Sequence, residues 1–204
     1  MQQKQLFIAI EGIDGSGKTT LSKHLTDLCS KQYDVLLTKE PGGTDIGSHL
    51  RAMLHESSEK IDKKAQYLLF AADRAQHISH VIQPHLEKGY IVITDRFTDS
   101  SLAYQGYGNG ISKEIITTIN NWTTNHLRPD IIFYIDISVQ EALKRLASRN
   151  NLSAYENKDF LQRVSSGFHE LFKDRKEVVT LDGHQKEDVL VNKAFHKVEQ
   201  WLNR

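Results

Sequence analysis

The chain has 204 residues, with 26 Lys and Arg against 26 Asp and Glu, so its formal net charge is zero with histidine neutral. That length suits one domain, spanning 1–204, with a sizeable core, and the balanced charge argues against a broad nucleic-acid or anionic-membrane surface while leaving room for a local basic pocket. A lone cysteine, Cys29, excludes an internal disulfide and a thiolate zinc site, and no apolar run approaches the ~18 residues of a membrane span, so a soluble protein of a reducing cytoplasm is expected.

In chain order, Leu6 to Ile10 is a nearly continuous apolar run, as expected of a strand buried on both faces. A helix is predicted from about Lys18 to Ser30, and Cys29 shares its apolar face with Leu21, Leu25 and Leu28, which makes it a packing residue. A second strand is expected at Tyr33 to Thr38, before Lys39-Glu40-Pro41-Gly42-Gly43-Thr44, where Pro and Gly force a loop. Ile46, Leu50, Met53 and Leu54 recur at helical spacing. A long helical stretch runs from about Lys63 to Lys88, with Leu68, Leu69, Ala72, Ile78, Val81 and Ile82 apolar and Pro84 bending or dividing it.

Tyr90 to Thr94 reads as a third buried strand that delivers Asp95-Arg96 at its C-terminal end. Ile111 to Asn125 is predicted helical, and Ile131 to Ile135 a fourth strand. Ser138-Val139-Gln140-Glu141 is a capping box opening the next helix. Asn150 to Asn157 is polar and weakly patterned and reads as a mobile loop, followed by a helix from about Asp159 to Lys173. Glu177 to Leu181 is a fifth strand, and Lys186 to Leu202 a final amphipathic helix. Strands alternating with helices imply right-handed crossovers and a five-stranded parallel sheet, an α/β three-layer sandwich whose ligands sit at the strand C-terminal ends.

Chemistry concentrates after the first strand. Gly12-Ile13-Asp14-Gly15-Ser16-Gly17-Lys18-Thr19 has the spacing of a phosphate-binding P-loop. Its glycines let backbone N–H groups turn inward around a phosphate, and the following helix adds the positive end of its dipole. Lys18 can reach the β- and γ-phosphates, and the Thr19 hydroxyl can bind Mg²⁺. Asp95 is placed to hold Mg²⁺ directly or through water. Arg96 can clamp an acceptor phosphate with its fork of N–H donors. Phe70 and Arg74, four residues apart on one helical face, can stack on a base and bind its phosphate.

The blocks Phe7 to Thr20, Lys39 to Thr44, Phe70-Ala71-Ala72-Asp73-Arg74 and Asp95 to Gly106 keep order and spacing, and together the chain resembles the thymidylate kinase family. Ser100-Ser101-Leu102-Ala103-Tyr104-Gln105-Gly106 is the most family-specific run. The resemblance implies transfer of the γ-phosphoryl of ATP to dTMP, with Mg²⁺ as cofactor and a homodimer packed through helices that include Tyr67 to Ala72. It implies that Arg74 binds the acceptor phosphate and stacks near the base, that Phe70 packs on thymine, and that Arg51 and Arg96 reach phosphates. Ser101, Tyr104 and Gln105 would read base and sugar, with Tyr104 against C2′. Asp14 would face the 3′-hydroxyl, and Glu40 would line the same pocket.

The family's bacterial members take a catalytic arginine from a lid when the P-loop has none, as here. The lid falls at about 149–158, and Ser153-Ala154 stands where the family commonly has Asp-Arg, so Arg149 is expected to take that role, with Arg145 and Arg163 flanking it. A switch-type NTPase would leave the Ser100 to Gly106 run without purpose, and no Asn/Thr-Lys-x-Asp guanine signature occurs. An acceptor such as dUMP remains open, because one methyl group discriminates by only ~1–3 kcal/mol.

Overall fold

Five strands pair in parallel in the order β2-β3-β1-β4-β5. They are β1 (Leu6–Glu11), β2 (Val35–Lys39), β3 (Ile91–Asp95), β4 (Ile131–Asp136) and β5 (Val178–Asp182). The computed structural model describes residues 5–56, 61–148 and 158–203. Every residue of the central β1 is buried, whereas β2 at the sheet edge is only half-buried, which is why it admits Thr38 and Lys39. The predicted sheet is therefore present, with strand ends shifted by a residue or two.

The pleat divides the core. Leu6, Ile8, Ile10, Ile91, Ile93 and Phe133 face α1 (Lys18–Cys29), and α9 (Glu187–Leu202) closes the same side with Leu190, Val191, Ala194 and Val198. Phe7, Ala9, Val92, Ile132 and Tyr134 face the other way, where Ile78, Ile82, Leu143, Val164 and Phe168 pack on them. Those residues come from the helix that starts as α3 (Lys63–His77), from α7 (Val139–Ala147) and from α8 (Lys158–Phe172). Cys29 is fully buried, and burial pushes its thiol up to about 12, as suits a packing residue.

Several local expectations need correction. Pro84 neither ends nor divides the helix: a π-helical turn at Ile78–Ile82 leads directly into α4 (Gln83–Glu87), and Gln83 N–H donates to Ile78 O. The wider turn lies just before the proline, whose missing N–H cannot serve the regular ladder. The predicted capping box is half formed, because Ser138 Oγ accepts from Glu141 N–H while the Glu141 carboxylate turns to Arg145. Of the apolar residues read at helical spacing, Ile46 and Met53, on α2 (Asp45–Glu56), and Leu68 lie more than half exposed. Residues 98–108, for which no element was predicted, are helical: α5 (Thr98–Ser101) runs into a π-helical segment, Leu102–Gly108. α6 (Lys113–Thr123) follows, capped by Ser112 Oγ. The predicted loop over 150–157, and Arg149, lie outside the described residues.

Register sets the site. Ile10 and Lys39 both pair with Asp95, so the chain leaves β1, β2 and β3 at one level. The P-loop, the Glu40 loop and Arg96 emerge side by side at the carboxyl edge of the sheet.

Candidate active site

Gly12, Gly15 and Gly17 take φ of 148°, 82° and 102°, all in the left-handed region open to glycine. A Cβ at Gly12 would stand 2.8 Å from Ile135 O, and one at Gly15 2.6 Å from Ala142 O, so these two positions also have no room for a side chain. α1 then opens without a capping side chain and without an acidic residue in its first turn. Its N-terminal dipole faces the loop with no acidic side chain of its own first turn against it. Lys18 is buried and donates from Nζ to Ile13 O at 2.9 Å. Burial and the nearby Arg96 charge pull its ammonium down to about 8 against the opposing carboxylates of Asp14, Asp95 and Glu11. Thr19 Oγ1 donates to Asp95 Oδ2 at 2.7 Å. These hard oxygen donors, side by side, suit Mg²⁺. Among the described residues no group of three His, Cys, Asp or Glu could hold a metal, so a cation here would complete its shell with phosphate and water oxygens.

Arg96 follows β3 with φ 75°, which turns its side chain back over the P-loop. NH1 donates to Gly12 O at 3.3 Å and to Ser100 Oγ at 3.0 Å, while NH2 pairs with Asp14 Oδ1 and reaches Tyr104 OH at 3.3 Å. Its guanidinium also sits 4.8 Å above the Tyr104 ring. Tyr104 OH accepts from Asp14 N–H at 2.9 Å and donates to Asp14 Oδ2 at 3.0 Å. Burial raises the Asp14 carboxyl, but Arg96, Lys18 and the Tyr104 hydroxyl outweigh it and hold it below the usual carboxylate range. Asp14 therefore belongs to the P-loop in sequence and to the Tyr104 side of the site in space.

On α3, Phe70 and Arg74 lie one turn apart, as their spacing predicts, and both line a cleft of about 510 Å³. Arg74 is only 2% exposed. Its Nε donates to Glu40 Oε2 at 2.8 Å, NH1 to Asn120 Oδ1 at 2.8 Å, and NH2 to Ser101 Oγ at 3.0 Å and Phe97 O at 3.3 Å. Four of the five guanidinium N–H groups are thus committed to protein acceptors. Glu40 also meets His77 Nδ1 at 3.1 Å, and His77 Nε2 lies 2.6 Å from Thr38 Oγ1. Burial pushes the Glu40 carboxyl up, but Arg74 and His77 outweigh it and leave it lowered. Arg51 donates from NH1 to Pro41 O at 3.0 Å and is otherwise exposed at the cleft mouth.

The cleft gathers Asp14, Glu40, Arg51, Phe70, Arg74, Arg96, Ser101, Tyr104 and Gln105, every residue expected of an acceptor pocket. Sequence reading passed over Gln66, Asn109 and Phe160 on its wall, and Glu11, Asn120 and His77 behind it. Nothing in their local sequence marks them, because each enters through tertiary packing. A second cleft of about 260 Å³ lies on the far side of the P-loop, lined by Gly15, Ser16, Gly17, Thr20, Arg145, Gly183 and Gln185 among others. Arg145 there donates to Gly183 O at 2.9 Å and Glu141 Oε1 at 3.1 Å, and Arg163 donates twice to Gly108 O. One loop thus forms the wall between two clefts, which is the layout a group transfer between two bound nucleotides requires.

A family model described as thymidylate kinase matches residues 10–194. Thymidylate kinase of Halothermothrix orenii is 39% identical over 203 residues, covering 97% of this chain and 98% of its own. That of Thermosipho africanus is 43% identical over 199 residues, covering 97% and 99%. The crystal structure of thymidylate kinase from Ehrlichia chaffeensis superposes with a TM-score of 0.79 at 33% identity, over 95% of this chain and 98% of its own. Matched across all but its two ends, this chain belongs to the thymidylate kinase family.

Proposed function

We propose that the chain acts as a single kinase domain that transfers the γ-phosphoryl of ATP to dTMP, giving dTDP and ADP. The observation that carries this reading is the pairing of Asp14 with Arg96 and Tyr104, which makes the phosphate-binding loop a wall of the acceptor cleft. ATP lies along the P-loop, with Gly12 to Gly17 around its phosphates and its base toward the Arg145 side. dTMP lies in the larger cleft, its base against Phe70 and beside Arg74, Ser101 and Gln105, its sugar between Tyr104 and Asp14. Among the described residues Arg74 and Arg96 each commit four of their five guanidinium N–H groups, whereas Arg51 donates to Pro41 O alone. Arg51 therefore has the most donors to offer the acceptor phosphate, with Arg74 and Arg96 lending charge beside it.

An acceptor phosphate oxygen attacks the γ-phosphorus as the bond to the β-phosphate oxygen breaks. The acceptor is already anionic near neutral pH, so no side chain has to take a proton. Lys18 and Arg96 offset charge on the moving group, and positioning supplies the rest. Thr19 and Asp95 would hold Mg²⁺, which when bound offsets charge between the β- and γ-phosphates. Arg149, outside the described residues, supplies the lid's cation.

The exposed apolar side chains Ile46, Met53, Leu68, Ile115 and Trp122 lie on α2, α3 and α6 and support a homodimer through that surface. No described helix is long and apolar enough to cross a membrane, and we assign the enzyme to the cytoplasm. The test is ADP release from Mg·ATP with dTMP, dUMP, the ribose form of TMP, dGMP or no acceptor. Fast release with dTMP, slower release with dUMP and little with the others supports the reading. Release independent of acceptor would overturn it.

A further inference from the structure

We propose that Glu11 is a positioning residue for phosphoryl transfer: acting through the Ser100 hydroxyl, its buried carboxylate fixes the Arg96 guanidinium where the P-loop meets the acceptor cleft. The inference rests on the role given above to Arg96. Glu11 is the last residue of β1 and is fully buried. It pairs in register with Tyr134, whose ring belongs to the apolar layer packed by α7 and α8. A carboxylate pointing into such a layer costs stability unless donors meet it.

Three donors do. Oε1 accepts from Phe97 N–H at 2.8 Å and Ser100 N–H at 3.3 Å, and Oε2 accepts from the Ser100 hydroxyl over a short contact. The first bond secures the peptide after Arg96, whose left-handed φ is uncommon for a side chain of that size. Thr94 Oγ1 donates to the carbonyl of that same peptide, Arg96 O, at 2.9 Å, and on the other side Arg96 N–H donates to Ile10 O at 3.0 Å. The second link sets polarity. Ser100 has a single hydroxyl proton, and by giving it to Glu11 it leaves a lone pair for Arg96 NH1 at 3.0 Å. An amide nitrogen in place of Oε2 would donate to Ser100 instead, turning its proton toward NH1 and setting donor against donor. Glu11 therefore orients Arg96 by fixing both its backbone and the direction of its hydroxyl partner, without touching either nucleotide.

The test compares the wild-type enzyme with Glu11→Gln, Ser100→Ala and the double variant, in steady-state kinetics at pH 8 together with thermal melting. Glu11→Gln and Ser100→Ala each should lower kcat with dTMP by about 10- to 100-fold, as loss of a supporting shell does, with KM for Mg·ATP unchanged. The double variant should be no worse than the poorer single one. Ser100→Ala keeps the carboxylate and both backbone donors, so its melting temperature should fall less than that of Glu11→Gln and it remains informative if Glu11→Gln does not fold. Wild-type kcat in Ser100→Ala, or losses that add in the double variant, would overturn the proposal. A crystal structure of Ser100→Ala reads the geometry independently of activity. Arg96 displaced from Gly12 O and Asp14 is expected, and Arg96 unmoved would overturn it. Absence of transfer to dTMP by the wild type would instead count against the reading of the reaction.

Discussion

Thr19 Oγ1 donates to Asp95 Oδ2 across 2.7 Å, joining the first turn of α1 to the end of β3. The two residues are 76 positions apart in the chain, and only the parallel register of β1 with β3 brings them together. A divalent cation entering here meets one hydroxyl and one carboxylate oxygen. Asp95→Asn should therefore raise the Mg²⁺ concentration needed for half-maximal rate by about 10- to 100-fold. A Mg²⁺ titration at saturating ATP and dTMP reads it, and an unchanged midpoint would remove Asp95 from the metal site.

Lys18 should make nucleotide capture pH-dependent. Its ammonium is drawn down to about 8, first by burial and then by Arg96. The protonated form binds the triphosphate, so kcat/KM for ATP, which reports the free enzyme, should fall as pH rises through about 8. Bound phosphates favour the charged lysine, so kcat should begin its fall at a higher pH than kcat/KM. Superimposed alkaline limbs would contradict this.

The Glu40–Arg74 pair is buried on both sides, and removing one partner strands a charge. Glu40→Ala should cost about 3–5 kcal/mol of stability, with a raised KM for dTMP. The pH dependence has a definite sign. The folded carboxyl lies below the ordinary carboxylate value of about 4.5, so its stabilisation is present above about 4.5 and is lost as pH falls through the folded value. Denaturant melts of the wild type and Glu40→Ala between pH 7 and low pH should therefore converge on acidification. A gap that stays constant would show that Glu40 acts by packing alone.

Much of this architecture is legible in the chain. The apolar runs of β1, β3 and β4, and the Gly-Lys-Thr spacing at Gly17-Lys18-Thr19, carry their own signals because each is a local requirement of burial or of backbone φ. The acceptor cleft is legible through the resemblance of four blocks rather than through periodicity. Residues 98–108 are not: Asp99, Ser100, Ser101, Gly106 and Gly108 are poor helix formers, and tertiary bonds to Glu11 and Arg96 hold the helix there. The commitment of Arg74 to Glu40, Asn120 and Ser101 is equally invisible, since three different elements supply its partners. Gly43 reads as a loop residue and Gly47 falls in a stretch of helical spacing, yet a Cβ at either would fall within 2.4 Å of His77 or Asp73.

The apolar side chains left outside the core carry a prediction of their own. Leu68 and Trp122 are 54% and 77% exposed. Leu68→Glu combined with Trp122→Glu should halve the mass measured by light scattering while leaving the fold intact, because neither side chain supports the core. A dimer that survives both changes would place the interface elsewhere.

Arg149→Ala should lower kcat by about 10³-fold with little change in KM for either substrate, by analogy with arginine fingers. An unchanged kcat would assign the lid's cation to another residue.

The most direct test of phosphoryl transfer is ³¹P NMR of a reaction containing the enzyme, Mg·ATP and dTMP. The structure predicts dTDP and ADP rising in equal amounts with no inorganic phosphate. Inorganic phosphate accumulating with ADP while dTMP stays unchanged would show that water, not the nucleotide in the Phe70–Tyr104 cleft, receives the phosphoryl group.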